Sequence, residues 1–490
     1  MASLQQSTIK GIFWSSIDRF SVQSINFVIQ IVIARILMPE DYGLIGMLAI
    51  FIALSQTFID SGFMSALIQK HDRTETDYST VFYFNIIVAI LFYFLLFFIS
   101  PLIADFYHKP ILEKLTKVIG LVLVINSFTT VQRTKLTVNL DFKSQAKISI
   151  AYTIIAGTVG VTMAYRGYGV WSLVAQSLLG AFTYTIMLWL YVKWIPSRVF
   201  SWASFKTLFS FGSKLLLSGI LDTLYTNIHT IIIGKKYSDK VLGTYTRADQ
   251  FAQFPASNLT SVIGRVVYPI LCSIQTDNDR LANIYRQYLR LSAFVIFPIM
   301  ITLCALAAPT IDVALGAKWH GVILWLQILC FSAMWYPVHA INLNLLQVKG
   351  RSDLFLRLEI IKKTIAVSML FITVPIGVTA MCIGAIITSL ISLAINMHYT
   401  GKLIEIGFLK QIKDLLPTLL YSLSMGVITF FAIKLVDSNV MKLVIGLPIA
   451  ILYYLSIAHI NKSPELKSLV TILKNNYEII KNKHFFNRKR

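Results

Sequence analysis

The sequence predicts an all-α integral membrane protein with about fourteen transmembrane helices, and three observations carry that reading. Of its 490 residues, 56% are hydrophobic and only 14% charged, and the mean hydropathy is +0.69. Residues 81–100, 291–310 and 443–457 contain no charged side chain, and a spanning helix needs roughly 20 mainly apolar residues. The period-two alternation of an outer-membrane barrel is absent, which leaves helices as the structure able to satisfy every backbone group in lipid.

Taken in order, the apolar intervals are 11–37, 42–66, 79–103, 116–132, 146–165, 169–192, 211–234, 247–271, 286–313, 322–345, 354–375, 378–400, 414–435 and 440–459. The fourth and eighth are the most polar, through Asn126, Gln132 and Arg265. With both termini inside, 30 of the 44 Lys and Arg residues fall in cytoplasmic segments and 12 outside. That asymmetry orients the chain with cytoplasmic termini. It also accounts for the net charge of +21 without nucleic acid as a partner.

The organisation expected is an N-lobe over 1–192, an interfacial linker over 193–210, a C-lobe over 211–400, two extra spans over 401–460 and a basic tail over 461–490. Trp171, Trp194, Trp202 and Trp319 fall at span ends, where amphipathic rings prefer the headgroup layer. Cys272, Cys304, Cys330 and Cys382 sit in or beside apolar segments without CxxC spacing, so they read as packing residues. The tail after Pro464 suits a helix lying on an anionic inner leaflet, and equally a solvated end.

The stretch 34–43, which closes the first span and opens the second at Gly43, is echoed by 234–243, which ends at Gly243. Six spans precede Lys193, and the seventh begins a second copy. An even number of spans per copy gives parallel repeats about an axis along the membrane normal.

Polar residues inside the spans are concentrated in the first two helices of each copy. In the first span Ser15, Arg19, Gln23, Asn26 and Gln30 recur at helical spacing, with Asp18 beside them. Asp60 lies in the second span. The seventh carries Ser218, Asp222, Tyr225 and His229; the eighth carries Gln250, Gln253, Ser257, Ser261 and Arg265, with Arg247 and Asp249 near its outer end. A charge at mid-membrane costs roughly 2.5 to 3.5 kcal/mol on insertion scales, so such residues need partners or a wet cavity. Two readings stand together: the stripes line one cavity, or Asp18, Asp60 and Asp222 pair with Arg19 and Arg265 to hold the lobes. His229, His339 and His398 read as satisfied interior histidines, and Glu359 as the counter-charge of Arg357 and Lys362.

No HExxH, GxSxG or Walker-type motif occurs, and no cluster has metal-ligand spacing. The composition therefore argues against an ATP-driven pump or a membrane hydrolase, and implies no cofactor and no catalytic residue. Transport would be passive or driven by an ion gradient or the membrane potential.

Several segments together carry a family resemblance: 34–43 (ARILMPEDYG), 60–69 (DSGFMSALIQ), 167–174 (GYGVWSLV), 211–214 (FGSK), 243–250 (GTYTRADQ) and 263–270 (IGRVVYPI). Over about residues 5–460 the chain resembles the polysaccharide transporters, the Wzx-type oligosaccharide flippases, of the superfamily that includes multidrug extruders and the peptidoglycan lipid flippase. The colanic-acid-exporter-like branch is the nearest subgroup.

The resemblance implies a bacterial inner-membrane protein that flips an undecaprenyl-pyrophosphate-linked oligosaccharide by alternating access of two lobes around a cationic cavity. Membrane lipids surround it, and a polysaccharide polymerase and glycosyltransferases are its implied partners. On this reading Arg19 and Arg265 contact pyrophosphate; Gln23, Asn26, Gln253 and Asn258 meet sugar hydroxyls; Arg247 and Tyr225 also belong to the substrate-binding set; Asp18, Asp60, Asp222 and Asp249 balance charge or carry coupling ions. A cation-coupled multidrug extruder is the main alternative, and would have an acidic cavity. A membrane enzyme of glycan assembly is a second, and would need a large catalytic outer loop, which the short stretch 101–113 does not provide.

Overall fold

The apolar runs fold as helices wherever the computed structural model describes the chain, over residues 20–70 and 72–471, and no strand occurs among the described residues. Asp18, Arg19 and most of the basic tail, 472–490, lie outside them. By internal packing the chain forms two units, Met1–Thr246 and Arg247–Arg490.

In the first unit α1 (Phe20–Ile36) is followed after a two-residue turn by α2 (Pro39–Asp60). Proline at the first position of α2 loses no hydrogen bond there, and the Asp41 carboxylate accepts the Met38 N–H at 3.0 Å. Next come α3 (Phe63–Gln69) and α4 (Glu75–Tyr107). Thr74 and Asp77 cap α4 reciprocally: Asp77 N–H donates to Thr74 Oγ1 at 3.3 Å and Thr74 N–H to Asp77 Oδ2 at 2.8 Å.

The fourth apolar interval is one path broken into three pieces, α5 (Ile111–Ile119), α6 (Leu121–Ser127) and α7 (Thr130–Val138). The breaks at Gly120 and Phe128 keep right-handed backbone angles, while Ser127 and Thr129 hydroxyls donate to the carbonyls of Val124 and Asn126. Such local bonds compete with the helical ladder. Then α8 (Phe142–Tyr165) and α9 (Trp171–Val192) pack against each other.

The linker segment is tied to α4: Ser197 N–H donates to Ser79 Oγ at 2.9 Å and Ser201 N–H to Thr80 Oγ1 at 3.1 Å. Ser201 then caps α10 (Trp202–Lys236), so the helix starts inside the stretch expected as linker. The seventh span, expected as the first helix of the C-lobe, packs along α2, α3 and α4 within the first unit. Thr57 and Thr223 hydroxyls meet at 3.0 Å in the last turn of α2.

Helix α11 (Asp239–Ser273) crosses the boundary between the units. The second unit continues with α12 (Asn278–Ala305), α13 (Ala307–Ala314), α14 (Gly321–Ala333), α15 (Tyr336–Val348), α16 (Ser352–Ile376), α17 (Val378–Ile404), α18 (Phe408–Lys434) and α19 (Asn439–Ile460). The two extra helices do not stand apart: α18 packs along α12, and α19 on α18 and α13.

Ten helical segments among the described residues are long and apolar enough to cross a membrane, with α1 as a shorter apolar helix. The protein is thus a multi-pass membrane protein. Within the described residues the apolar intervals are helical apart from end residues and short turns at 61–62, 120, 128–129, 306 and 334–335. The four outside the ten are α1, the broken α5–α7 path, α11 with Arg247, Asp249 and Arg265, and α16 with Arg357, Glu359, Lys362 and Lys363. Large apolar side chains such as Phe98, Leu190, Phe371 and Leu409 are exposed along helix surfaces, as lipid contact requires.

Two expected anchors have another role: Trp194 is buried at 8% exposure and its Nε1 donates to Glu75 Oε2 at 2.5 Å. Trp319 is fully buried in a short turn between α13 and α14, because that turn is packed inside the helix ends. Trp202, by contrast, is 66% exposed at the start of α10.

Candidate functional site

Side chains on seven helices of the first unit enclose a polar cavity of about 700 Å³, within the roughly 300–1,000 Å³ range of ligand sites. From α1 come Asn26 and Gln30, one helical turn apart. Gln56 and Asp60 stand on α2 in the same relation, and Gln56 Nε2 donates to Asp60 Oδ1 at 3.0 Å.

The opposite wall is the broken fourth path. Asn126, Thr129, Thr130 and Arg133 share one face at helical spacing, while Val131, Gln132 and Thr134 on the other faces are buried. The charge of Arg133 acts on the Asp60 carboxylate, and its guanidinium is exposed, with no salt bridge among the described residues. The cavity thus holds one carboxylate and one uncommitted guanidinium, able to bind phosphate or carboxylate through paired charge-assisted hydrogen bonds.

Helices α8 and α9 complete the wall. Tyr152 and Tyr184 bring their rings to 4.7 Å, centroid to centroid, tilted by 55°, and offer apolar ring surface with polar edges. Gln176 accepts from Gln30 Nε2 at 3.4 Å, tying α9 to α1. Gly180 and Ala181 face the cavity between them, and residues this small let α9 approach α8 closely.

Of the residues singled out from sequence, the structure brings Asn26, Gln30 and Asp60 to this cavity. Gln23 lies on α1 half-buried and off its wall. Asp222 and Tyr225 lie on α10, exposed and half-buried respectively, and do not line it. On α11, Gln253 hydrogen-bonds Asp249, Asn258 Nδ2 donates to the Phe254 carbonyl at 2.8 Å, and Arg247 is half-buried. Arg265 also belongs to α11, and its side chain is outside those described.

His339 is held in the second unit by Ser389 at 3.0 Å and Asn396 at 3.2 Å, and Glu359 pairs with Lys362. Among the described residues no three His, Cys, Asp or Glu side chains gather as a metal site.

Arg133, Gln56, Gln176, Tyr152 and Tyr184 are among the wall residues that sequence reasoning missed, and Asn126 is noted there only for the polarity of its interval. Arg133 reads in sequence as a loop charge that orients the chain. The signal that finds it is the face Asn126, Thr129, Arg133, which begins inside the polar fourth interval and runs one residue past its end.

Residues 32–324 match the family described as polysaccharide biosynthesis protein. The chain is 27% identical to the teichuronic acid biosynthesis protein TuaB of Bacillus subtilis (strain 168), over 88% of this chain and 90% of that one. It is 26% identical to the lipopolysaccharide biosynthesis protein WzxC of Escherichia coli (strain K12), over 87% and 89%. In fold it is similar to the lipid II flippase MurJ in an inward closed conformation, with a TM-score of 0.75, 15% identity and coverage of 91% and 98%. It is also similar to an inward-facing multidrug resistance transporter of the MATE family, with a TM-score of 0.59, 16% identity and coverage of 80% and 98%. The chain belongs to the polysaccharide biosynthesis protein family.

Proposed function

We propose that this protein is a flippase that moves an undecaprenyl-pyrophosphate-linked oligosaccharide across the bacterial inner membrane for polysaccharide assembly. The observation that carries this reading is the polar cavity in the first unit, with the exposed Arg133 guanidinium on a wall of amides and tyrosines. A lipid-linked glycan needs a cation for its phosphates, hydrogen-bonding and ring surfaces for its sugars, and lipid for its tail. The cavity offers the first two in a chain whose outer faces are apolar.

In this reading lobes over 1–192 and 211–400 alternate access around the cargo, both termini are cytoplasmic, and 401–460 and the tail 461–490 are additions to that engine. Polysaccharide polymerase and glycosyltransferases work beside it. The names of the relatives, TuaB and WzxC, support the cargo class.

The test is flipping of a fluorescent lipid-linked oligosaccharide by purified protein in vesicles, with and without an imposed potential. Arg133→Gln should slow flipping about tenfold or more, the worth of one charged hydrogen-bond pair, with partial rescue by Arg133→Lys. Equal rates for wild type and both variants would reject Arg133 as a cargo contact, and no flipping by the wild type would reject the function.

One observation favours a second reading, a cation-coupled drug extruder: Asp60 lines the cavity. The same vesicles loaded with a cationic dye decide between them, because the extruder moves the dye and ignores the glycolipid.

A further inference from the structure

The polar cavity of the first unit has an order along its length. Thr185 Oγ1 donates to the Ile125 carbonyl at 3.3 Å and Trp189 Nε1 to the Phe128 carbonyl at 3.0 Å. Helix α9 therefore runs beside the broken fourth path in the same direction, with Tyr184 level with Ile125. Arg133 lies two helical turns further along that path, roughly 11 Å. Gln176 lies two turns the other way along α9, again roughly 11 Å from Tyr184, and it is the residue that Gln30 ties to α1.

Three chemistries follow one another on this line. Among the described residues of the cavity wall only Asp60 and Arg133 carry charge, and the charge of Arg133 acts on Asp60, so both belong to one end. In the middle stands the tilted corner of Tyr152 and Tyr184. Tyr184 packs against the buried cluster of Leu136, Ile148 and Leu188, which fixes its ring. Gly180, one turn before it, keeps the space beside Tyr152 open, because a Cβ there would stand 4.0 Å from Tyr152 Cδ2. The far end is neutral, with the amides of Gln30 and Gln176 and the hydroxyl of Ser177.

We propose that the tyrosine corner is the subsite for the sugar joined directly to the pyrophosphate, and that it takes a neutral pyranose. The inference rests on the flippase reading and names the part of the cargo that each stretch of the cavity meets. With the phosphates held at Arg133, the sugar bonded to them reaches the corner, and the next sugar reaches Gln30 and Gln176. A pyranose has a face of C–H groups and a rim of hydroxyls. The electron-rich face of a tyrosine attracts the first, and side-chain amides donate to and accept from the second. A uronic acid in the same place would bury a carboxylate where no described wall residue carries positive charge, which is costly.

Equilibrium binding to the full-length protein in nanodiscs provides the test, with three probes: undecaprenyl pyrophosphate, the same lipid bearing one glucose, and the same lipid bearing one glucuronic acid. The wild type should bind the glucosyl lipid about tenfold more tightly than the bare lipid, the worth of a good aromatic contact. It should bind the glucuronosyl lipid no more tightly than the bare one. Tyr184→Leu and Tyr152→Leu should each remove the preference for glucose and leave affinity for the bare lipid unchanged, which also shows that the variant is folded. Tyr184→Phe should keep the preference, since the ring is retained, and Arg133→Gln should weaken all three probes alike. A glucose preference that survives both leucine variants overturns the corner and leaves the flippase reading standing, as does equal wild-type affinity for the bare and glucosyl lipids. Tighter binding of the glucuronosyl lipid than of the bare one overturns the neutral-sugar assignment. A wild type that binds none of the three overturns the flippase reading and the corner with it.

Discussion

Gly43 and Gly243 meet backbone to backbone. A Cβ built on Gly243 would stand 3.0 Å from the Gly43 nitrogen and collide with the Pro39 carbonyl, and one built on Gly43 would collide with the Asp239 carbonyl. The two glycines occupy the same position in α2 and α11, which start at Pro39 and Asp239. Lys109, just after α4, reaches Asp239 at the start of α11 at 2.6 Å and ties α4 to the same corner. Both glycines belong to the two sequence stretches that echo each other, so the echo has a packing reason in this structure.

Gly43→Ala and Gly243→Ala should therefore each destabilise the protein by about 1–3 kcal/mol, the usual cost of overpacking. The obstacle is a carbonyl in each case and cannot rotate away. Gly407→Ala is the control, because a Cβ there meets nothing within 4 Å. Thermal unfolding of the purified protein measures this, and equal melting temperatures for all three variants would remove the close crossing.

Much of the helical plan was legible in sequence, because lipid forces long, mainly apolar helices. The candidate site was legible only where a polar residue interrupts an apolar helix, as Asp60 does. Arg133 was not, since it follows Gln132 near a span end where positive charge is expected for orientation. The side chain that matters there is distinguished by its face, and the fourth path bends at Gly120 and Phe128. Trp319 shows the same limit: a tryptophan at a helix end reads as an anchor whether it faces lipid or, as here, the interior.

In the second unit α18 is held to α12 by a fork. Arg286 Nε and Nη2 donate to the two carboxylate oxygens of Asp414, each at 2.6 Å, and Asp414 is 6% exposed. Removing one partner of a buried pair leaves a stranded charge worth several kcal/mol. Arg286 is 37% exposed, which screens part of that. Asp414→Asn should cost about 1–3 kcal/mol, and Arg286→Met with Asp414→Leu should recover much of it. A double-mutant cycle on thermal stability measures the coupling, and additive losses would show that the fork contributes nothing.

Asp141 caps α8 just outside the membrane-spanning stretch, accepting the Ser144 N–H at 3.1 Å and the Tyr191 hydroxyl at 3.1 Å. Burial by itself would raise its pKa, but the bonds from Ser144 and Tyr191 and the charge of Lys143 outweigh it and hold the carboxyl below its ordinary 3.8. A depressed folded value stabilises the protein above the unfolded value, and that contribution is lost as pH falls through the folded one. Asp141→Asn keeps the cap and loses the charge, so its deficit against wild type should be no more than about 1 kcal/mol at pH 7. It should shrink as pH drops below 3.8. Chemical unfolding across that range measures it, and a deficit independent of pH would assign Asp141 a purely geometric role.

Arg19 and Arg265 are the two intramembrane arginines that the sequence singles out. An arginine that only neutralises a neighbouring aspartate contributes to folding, so its loss lowers the amount of protein in the membrane. An arginine that binds pyrophosphate contributes to turnover, and its loss leaves abundance unchanged. In a strain lacking its own flippase, Arg19→Gln and Arg265→Gln should each reduce surface polysaccharide about tenfold or more at normal membrane abundance. Lysine at either position should restore part of the export, since charge is kept and the planar fork is lost. Full export by both glutamine variants would leave Arg133 as the cation that meets the cargo. Reduced abundance with export in proportion would place Arg19 and Arg265 among the residues that hold the helices together.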